Sequence, residues 1–333
     1  MGADSSSPEF SPDGSKVYVG SGDGKVYSRF ATSGGEKWTY ETDDGEEVTA
    51  VVARGTNVYA ATRHYLYCID ESEGYMRWRF KVFGRTTTPA VSADGRFVYF
   101  SSWGGGDNFL YCIDMQGDTS NFQFASGYVW REAHGVKYPQ SPALSPDGSK
   151  VYVGAGTWVY ARDATTGALL FKADTYGDSV EAILATPTVS ADSSTLYIGS
   201  TNAFYAIDAK SGRELWSYEV TSNPTAFAST ALFSKDESLV FVGCTDGTFF
   251  AFSYEKSLFD YPQADDDDDA PSNAGMIVIV AVIVAVALLA LATFLLVKAR
   301  RNADAKNNAE PANATSGIDL SNIEPKKDDA NLA

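Results

Sequence analysis

Two histidines, three cysteines and a group of loop aromatics are the residues whose types permit chemistry. The one ionisable pairing of catalytic type is His134 with Glu132, inside FASGYVWREAHGVKYPQ (124–140). A lone His beside a Glu specifies no reaction, because a catalytic base must sit within reach of a particular proton. Two histidines leave too few ligands for a His-based zinc site. No G-x-x-x-x-G-K-[ST] or H-E-x-x-H string occurs, and no loop carries the alternating acidic ligands of a calcium site. What the chain offers instead is contact area. Trp130, Arg131, His134 and Tyr138 are expected to join Trp103 and Trp158, from neighbouring turns, in one aromatic and polar patch. Trp, Tyr and Arg dominate protein interfaces. The expected chemistry is therefore recognition of another protein, and no catalytic, cofactor-binding or metal-ligating residue is assigned.

The scaffold that must position this patch is a β structure. The 333 residues include 19 Tyr and 19 Phe, types that suit pleated, half-buried surfaces. Acidic residues outnumber basic ones 43 to 26, and the net charge of −17 argues against a nucleic-acid partner. Three cysteines exclude a disulfide-dense secreted module.

Residues 1–262 repeat themselves. VYVGS at Val17 recurs at Val58, Val98, Val151, Leu196 and Val240, with steps of 41, 40, 53, 45 and 44 residues. A period of 40–50 with strand-like content marks a propeller or solenoid. Upstream of most copies stands a Pro-initiated turn segment, as in PEFSPDG and PALSPDG; downstream stands a further strand and turn, as in LYCIDESEGYMRW. Each unit reads as four short antiparallel strands, and stacking six such sheets around an axis buries face against face. The expected fold is all-β, a six-bladed β-propeller of four-stranded antiparallel blades, with its last outer strand near Phe259. The 53-residue step places the 124–140 stretch in a long surface loop.

Ala206 and Asp208, followed by Gly212 and Trp216, resemble the tryptophan-docking repeat of pyrroloquinoline-quinone (PQQ) type propellers, Ala-x-Asp-x-x-x-Gly-x-x-x-Trp. Cys68, Asp70, Gly74 and Trp78 match it with Cys for Ala. Ala161, Asp163, Gly167 and Phe171 match it with Phe for Trp. Gly34 and Trp38 keep its end, with Phe30 where Asp is expected, and Cys112 and Asp114 keep its start. The resemblance implies that Trp38, Trp78, Phe171 and Trp216 wedge between blades and are structural. Quinoprotein dehydrogenases of this superfamily carry eight blades, an adjacent Cys–Cys disulfide, a calcium-binding Glu and Asn, and an Asp base. This chain has six repeats and no adjacent cysteines. The resemblance therefore implies no cofactor and points to the non-enzymatic relatives: the binding propellers of the bacterial outer-membrane assembly lipoprotein and the luminal propellers of single-pass endoplasmic-reticulum proteins. The alternatives are a fragment of a PQQ-dependent oxidoreductase, a polymer- or sugar-binding surface sensor, and a tail-anchored cytosolic scaffold. Cys68 and Cys112 lie at equivalent places in consecutive blades, roughly 15 Å apart on a ~4.8 Å strand spacing, beyond the ~7 Å a disulfide tolerates. They are expected to be buried free thiols.

The remainder of the chain divides by composition. Residues 263–275 form an acidic linker containing Asp265 to Asp269. Met276 to Val297 is uncharged, with no Pro and no Gly, and at ~1.5 Å per residue spans a bilayer core. Lys298, Arg300 and Arg301 follow at once. The positive flank predicts a cytoplasmic tail (298–333) and a propeller outside the cell or in a lumen. MGADSSSPEF has no signal-peptide features, so the export signal is expected upstream of Met1.

Overall fold

The structure is a computed structural model. It describes residues 6–43, 45–106, 108–116, 128–133, 139–175, 183, 185–201, 203–219, 226–253 and 278–280. These residues form six antiparallel sheets, each running in chain order from an inner to an outer strand. Sheet 1 holds β1 (Glu9–Phe10), β2 (Lys16–Gly20), β3 (Lys25–Phe30) and β4 (Glu36–Glu41); sheet 2 holds β5 (Ala50–Arg54), β6 (Asn57–Ala61), β7 (Tyr65–Asp70) and β8 (Met76–Lys81). Sheet 3 adds a short β9 (Arg85–Thr86) to β10 (Ala90–Val91), β11 (Phe97–Trp103), β12 (Phe109–Asp114) and β13 (Tyr128–Ala133). Sheet 4 is β14 (Ala143–Leu144), β15 (Lys150–Ala155), β16 (Trp158–Asp163) and β17 (Leu169–Asp174). Sheet 5 is β18 (Thr188–Val189), β19 (Thr195–Gly199), β20 (Ala203–Asp208) and β21 (Glu214–Glu219). Sheet 6 is β22 (Leu232–Phe233), β23 (Leu239–Gly243), β24 (Phe249–Ser253) and β25 (Val278–Val280).

The first hairpin of five sheets is built by one device. In sheet 1, Ser11 Oγ donates to Asp13 Oδ1 at 2.6 Å, the Ser15 amide donates to the same oxygen at 3.0 Å, and Gly14 takes φ +70°. The arrangement recurs around Asp94, Asp147, Asp192 and Asp236. These hydrogen bonds favour the ionised carboxylate, so Asp13, Asp94, Asp147 and Asp236 titrate below the usual carboxylate range.

In sheets 1 to 5 the fourth strand carries an aromatic that locks the blade to its neighbour. Trp38, Trp78, Trp130, Phe171 and Trp216 stand opposite a small residue of the third strand: Ser28, Cys68, Cys112, Ala161 and Ala206. A bulge follows that small residue in all five sheets. The ring then docks on the next sheet. Trp38 Nε1 donates to the Glu71 carbonyl at 3.0 Å, and Trp130 Nε1 to the Ala164 carbonyl at 3.1 Å. Phe171 lacks that donor, and Tyr152 Oη supplies the bond to the Ala209 carbonyl at 2.9 Å. The seat is a glycine turn. A Cβ at Gly74 would lie 2.6 Å from the Trp38 ring, at Gly167 2.7 Å from Trp130, and at Gly212 2.5 Å from Phe171. Asp70, Asp163 and Asp208 shape these turns by accepting amides two and three residues ahead. Five buried clusters result, each between consecutive sheets.

Two expectations are corrected, and Trp216 docks as expected but at a half-buried site. Trp130 is not a loop residue: it lies on β13, is 7% exposed, and is the docking aromatic of sheet 3. Trp216 docks, with ring centroids 5.5 Å from Phe252 and 6.0 Å from Tyr197, but stays half-buried. Its partner sheet 6 has no Asp-x-x-x-Gly turn after Phe252 to cover it. Second, the fourth strand of sheet 6 is Val278–Val280, paired Phe250↔Val280 and Phe252↔Val278, and not a strand near Phe259. β-branched residues satisfy a sheet edge readily. The three come from the segment expected to be a membrane helix; Phe259, the linker and residues 281–333 lie outside the described residues. Among the described residues no helix is long and apolar enough to cross a membrane.

Candidate functional site

The ends of sheets 2 and 3 that carry the turns between second and third strands hold a cleft of about 360 Å³. Its walls are the Thr62–Arg63 turn, the Glu46–Thr49 segment, and β9 with the end of β11. Backbone packing fixes the geometry. β9 pairs Thr86 with Ser102 and Arg85 with Trp103. Just beyond, a Cβ at Gly84 would lie 2.2 Å from the Trp103 carbonyl, and one at Gly105 would lie 2.0 Å from that of Phe83. Only glycine permits either approach. Thr86 Oγ1 donates to the Thr62 carbonyl at 2.6 Å, tying sheet 3 to sheet 2. Arg85 lies over the Trp103 ring, 5.7 Å from its centroid, and Glu46 is held by His64 Nδ1 at 2.6 Å. A second hollow of about 310 Å³ shares Thr49, Thr86 and Trp103 and continues to Gln140 and Ser141, ahead of β14.

Of the six residues expected to form one patch, the four described ones are not brought together. Trp103 lines the cleft, and Trp130 is consumed by blade docking. Arg131 is exposed on β13 and stacks over Phe109 (4.4 Å) and Tyr128 (5.1 Å), on its own blade. Trp158 is half-buried under Lys172, whose Nζ lies 3.6 Å from the ring centroid. His134 and Tyr138 lie outside the described residues. Arg63 and Arg85 carry no signal in the sequence: Arg63 lies in a short turn, and β9 is two residues long and leaves no periodicity.

The residues present do not fit a quinone–calcium centre. Cys68 and Cys112 sit in different sheets, each opposite a docking tryptophan and fully buried, with burial pushing both thiols up to about 12. Among the described residues no three His, Cys, Asp or Glu converge as a metal site.

The family model described as outer membrane protein assembly factor BamB matches residues 2–124 and 125–262. The chain belongs to the PQQ-like propeller family. As a PQQ-like propeller it is similar to the crystal structure of BamB from Moraxella catarrhalis, with a TM-score of 0.55 and 17% identity over 74% of this chain and 70% of that one. At that identity the likeness is one of fold. It is also 28% identical over 93 residues to tetrathionate hydrolase of Acidithiobacillus ferrooxidans, 26% of this chain. That match spans 19% of the hydrolase.

Proposed function

We propose that this PQQ-like propeller is a non-catalytic binding module that recognises other proteins and is held at a membrane by a single span. The observation that carries the reading is the cleft: exposed Arg63 and Arg85 and the Trp103 ring stand on backbone locked by β9, while the remaining docking aromatics serve the blades. The assembly-factor name of the family supports a scaffold role. The six sheets are read as a closed ring. Gly34 takes φ +69°, in the left-handed region also used by the glycines that seat docking rings in sheets 2, 4 and 5 (+76°, +76° and +78°), and no described atom lies within 4 Å of its Cβ position. That seat suits a side chain from the last blade.

The apolar run 276–297 with its basic flank supports the span, an outward or luminal propeller, and a cytoplasmic tail. Val278–Val280 serve either the sheet edge or the span, so membrane insertion takes them from β24.

Titration of the purified full chain with PQQ and Ca²⁺ tests the non-catalytic reading. An enzyme holding the quinone would gain about 2.7 kcal/mol at a hundred times Kd, a melting rise of several degrees. The expected result is an unmoved melting temperature and no saturable quinone absorbance. A saturable rise would return the oxidoreductase reading.

A further inference from the structure

The cleft and its neighbouring hollow form one trough across sheets 2, 3 and 4. Its two ends differ in chemistry. At one end stand Arg63 and Arg85, both exposed and neither in an ion pair with a described residue, although five of the eight other described arginines have one. The Arg85 guanidinium carbon lies over the Trp103 ring, 5.7 Å from its centroid. A guanidinium is a planar fork of donors that matches a carboxylate. Two glutamates share the wall, Glu46 in contact with His64 Nδ1 and Glu47 exposed. Carboxylates beside two arginines tolerate a monoanion better than a dianion, which favours carboxylate over phosphate. The other end is neutral: Thr49, Thr87 and the Gln140 amide nitrogen are engaged by Ala61, Ser101 and Ile183, and Thr88, Ser141 and the Gln140 amide oxygen offer hydroxyl and carbonyl groups of the kind that pair with peptide backbone.

Resting on the protein-binding reading, we infer that this trough takes an extended segment of a partner protein, with an Asp or Glu of that segment held between Arg63 and Arg85 and an adjacent apolar side chain against Trp103. Arg63 and Arg85 set specificity, and the threonine-lined end holds the backbone.

A phage-displayed random dodecapeptide library panned on the full chain tests this. Enriched sequences should pair Asp or Glu with a neighbouring apolar residue, and recovery should fall at least tenfold on Arg63→Gln and on Arg85→Gln. Arg85→Lys should also lose binding, because an ammonium offers no planar fork. A fluorescent copy of the best peptide should weaken about tenfold when its acid becomes an amide, and should weaken as salt rises. Both arginines are exposed, so thermal melts of the variants should match the parent and certify folding. Peptides enriched without acidic residues, or recovered equally by the Gln variants, would overturn the trough assignment and leave the protein-binding reading standing. No enrichment at all would overturn both. Displacement of the peptide by a neutral glucan oligosaccharide would make the trough a sugar site and overturn the inference.

Discussion

Replacing Trp130 by Ala separates blade docking from surface decoration. The ring is 7% exposed, packs 5.9 Å from Tyr99, and occupies the Gly167 seat. A Trp side chain buries about 150–250 Å², and truncating a buried one to Ala costs roughly 3–5 kcal/mol. The lost hydrogen bond adds little, because the Ala164 carbonyl still accepts from Tyr99 Oη at 3.0 Å. A cost of about 4 kcal/mol lowers the melting temperature of a unit this size by roughly 8–16 °C. Trp158→Ala is the control: its ring is half-buried at the edge of the same cluster, with exposed Lys172 over it, so a smaller loss of about 1–2 kcal/mol is expected. Urea and thermal melts of both variants give the comparison. A Trp130→Ala loss below about 1 kcal/mol, or one equal to that of Trp158→Ala, would refute the docking assignment.

Gly167→Ala and Gly14→Ala both place a side chain at positive φ, but only the first drives a Cβ into a docked ring. Gly167→Ala should therefore cost about 2 kcal/mol more than Gly14→Ala; equal melts would contradict the seat. Asp236 is held down to about 2 by hydrogen bonds from Ser234 and Ser238, against about 3.9 unfolded. A depressed carboxylate stabilises the fold above its unfolded pKa and loses that contribution as pH falls through its folded pKa. Asp236→Asn should thus lower the melting temperature at pH 6, with the gap closing toward pH 2; a gap that widens on acidification has the wrong sign. Burial raises Cys68 and Cys112 to about 12, and Cys244, less buried, to about 11. Mass spectrometry after thiol labelling of the native chain at pH 8 should find Cys244 modified first, and early modification of Cys68 would argue against its place under Trp78.

The blade architecture was legible because turn chemistry repeats with the strands. Asp and Gly recur where the backbone needs an acceptor and a positive φ, so the Ser-x-Asp hairpins and the Asp-to-Gly seats could be read directly. Trp130 was hidden by an insertion. The docking aromatic follows its small partner by ten residues at Trp38, Trp78, Phe171 and Trp216, but by eighteen at Trp130. The alternation Tyr128-Val129-Trp130-Arg131 was the signal that β13 resumed after the insertion. The cleft was less legible, since Arg63, Arg85 and Trp103 come from three connections whose approach depends on a two-residue strand and two glycine contacts. The last outer strand was misplaced because the sixth repeat lacks its turn, leaving no register beyond Phe252.

Photo-crosslinking in intact membranes tests the binding-module claim most directly. One version of the full chain carries p-benzoylphenylalanine in place of Trp103, in the cleft; the other carries it in place of Glu73, exposed on a third-to-fourth-strand turn at the opposite end of the same blades. The account predicts a discrete protein adduct from position 103, lost on Arg63→Gln, and none from position 73. Adducts from position 73 with none from position 103, or none from either, would contradict it.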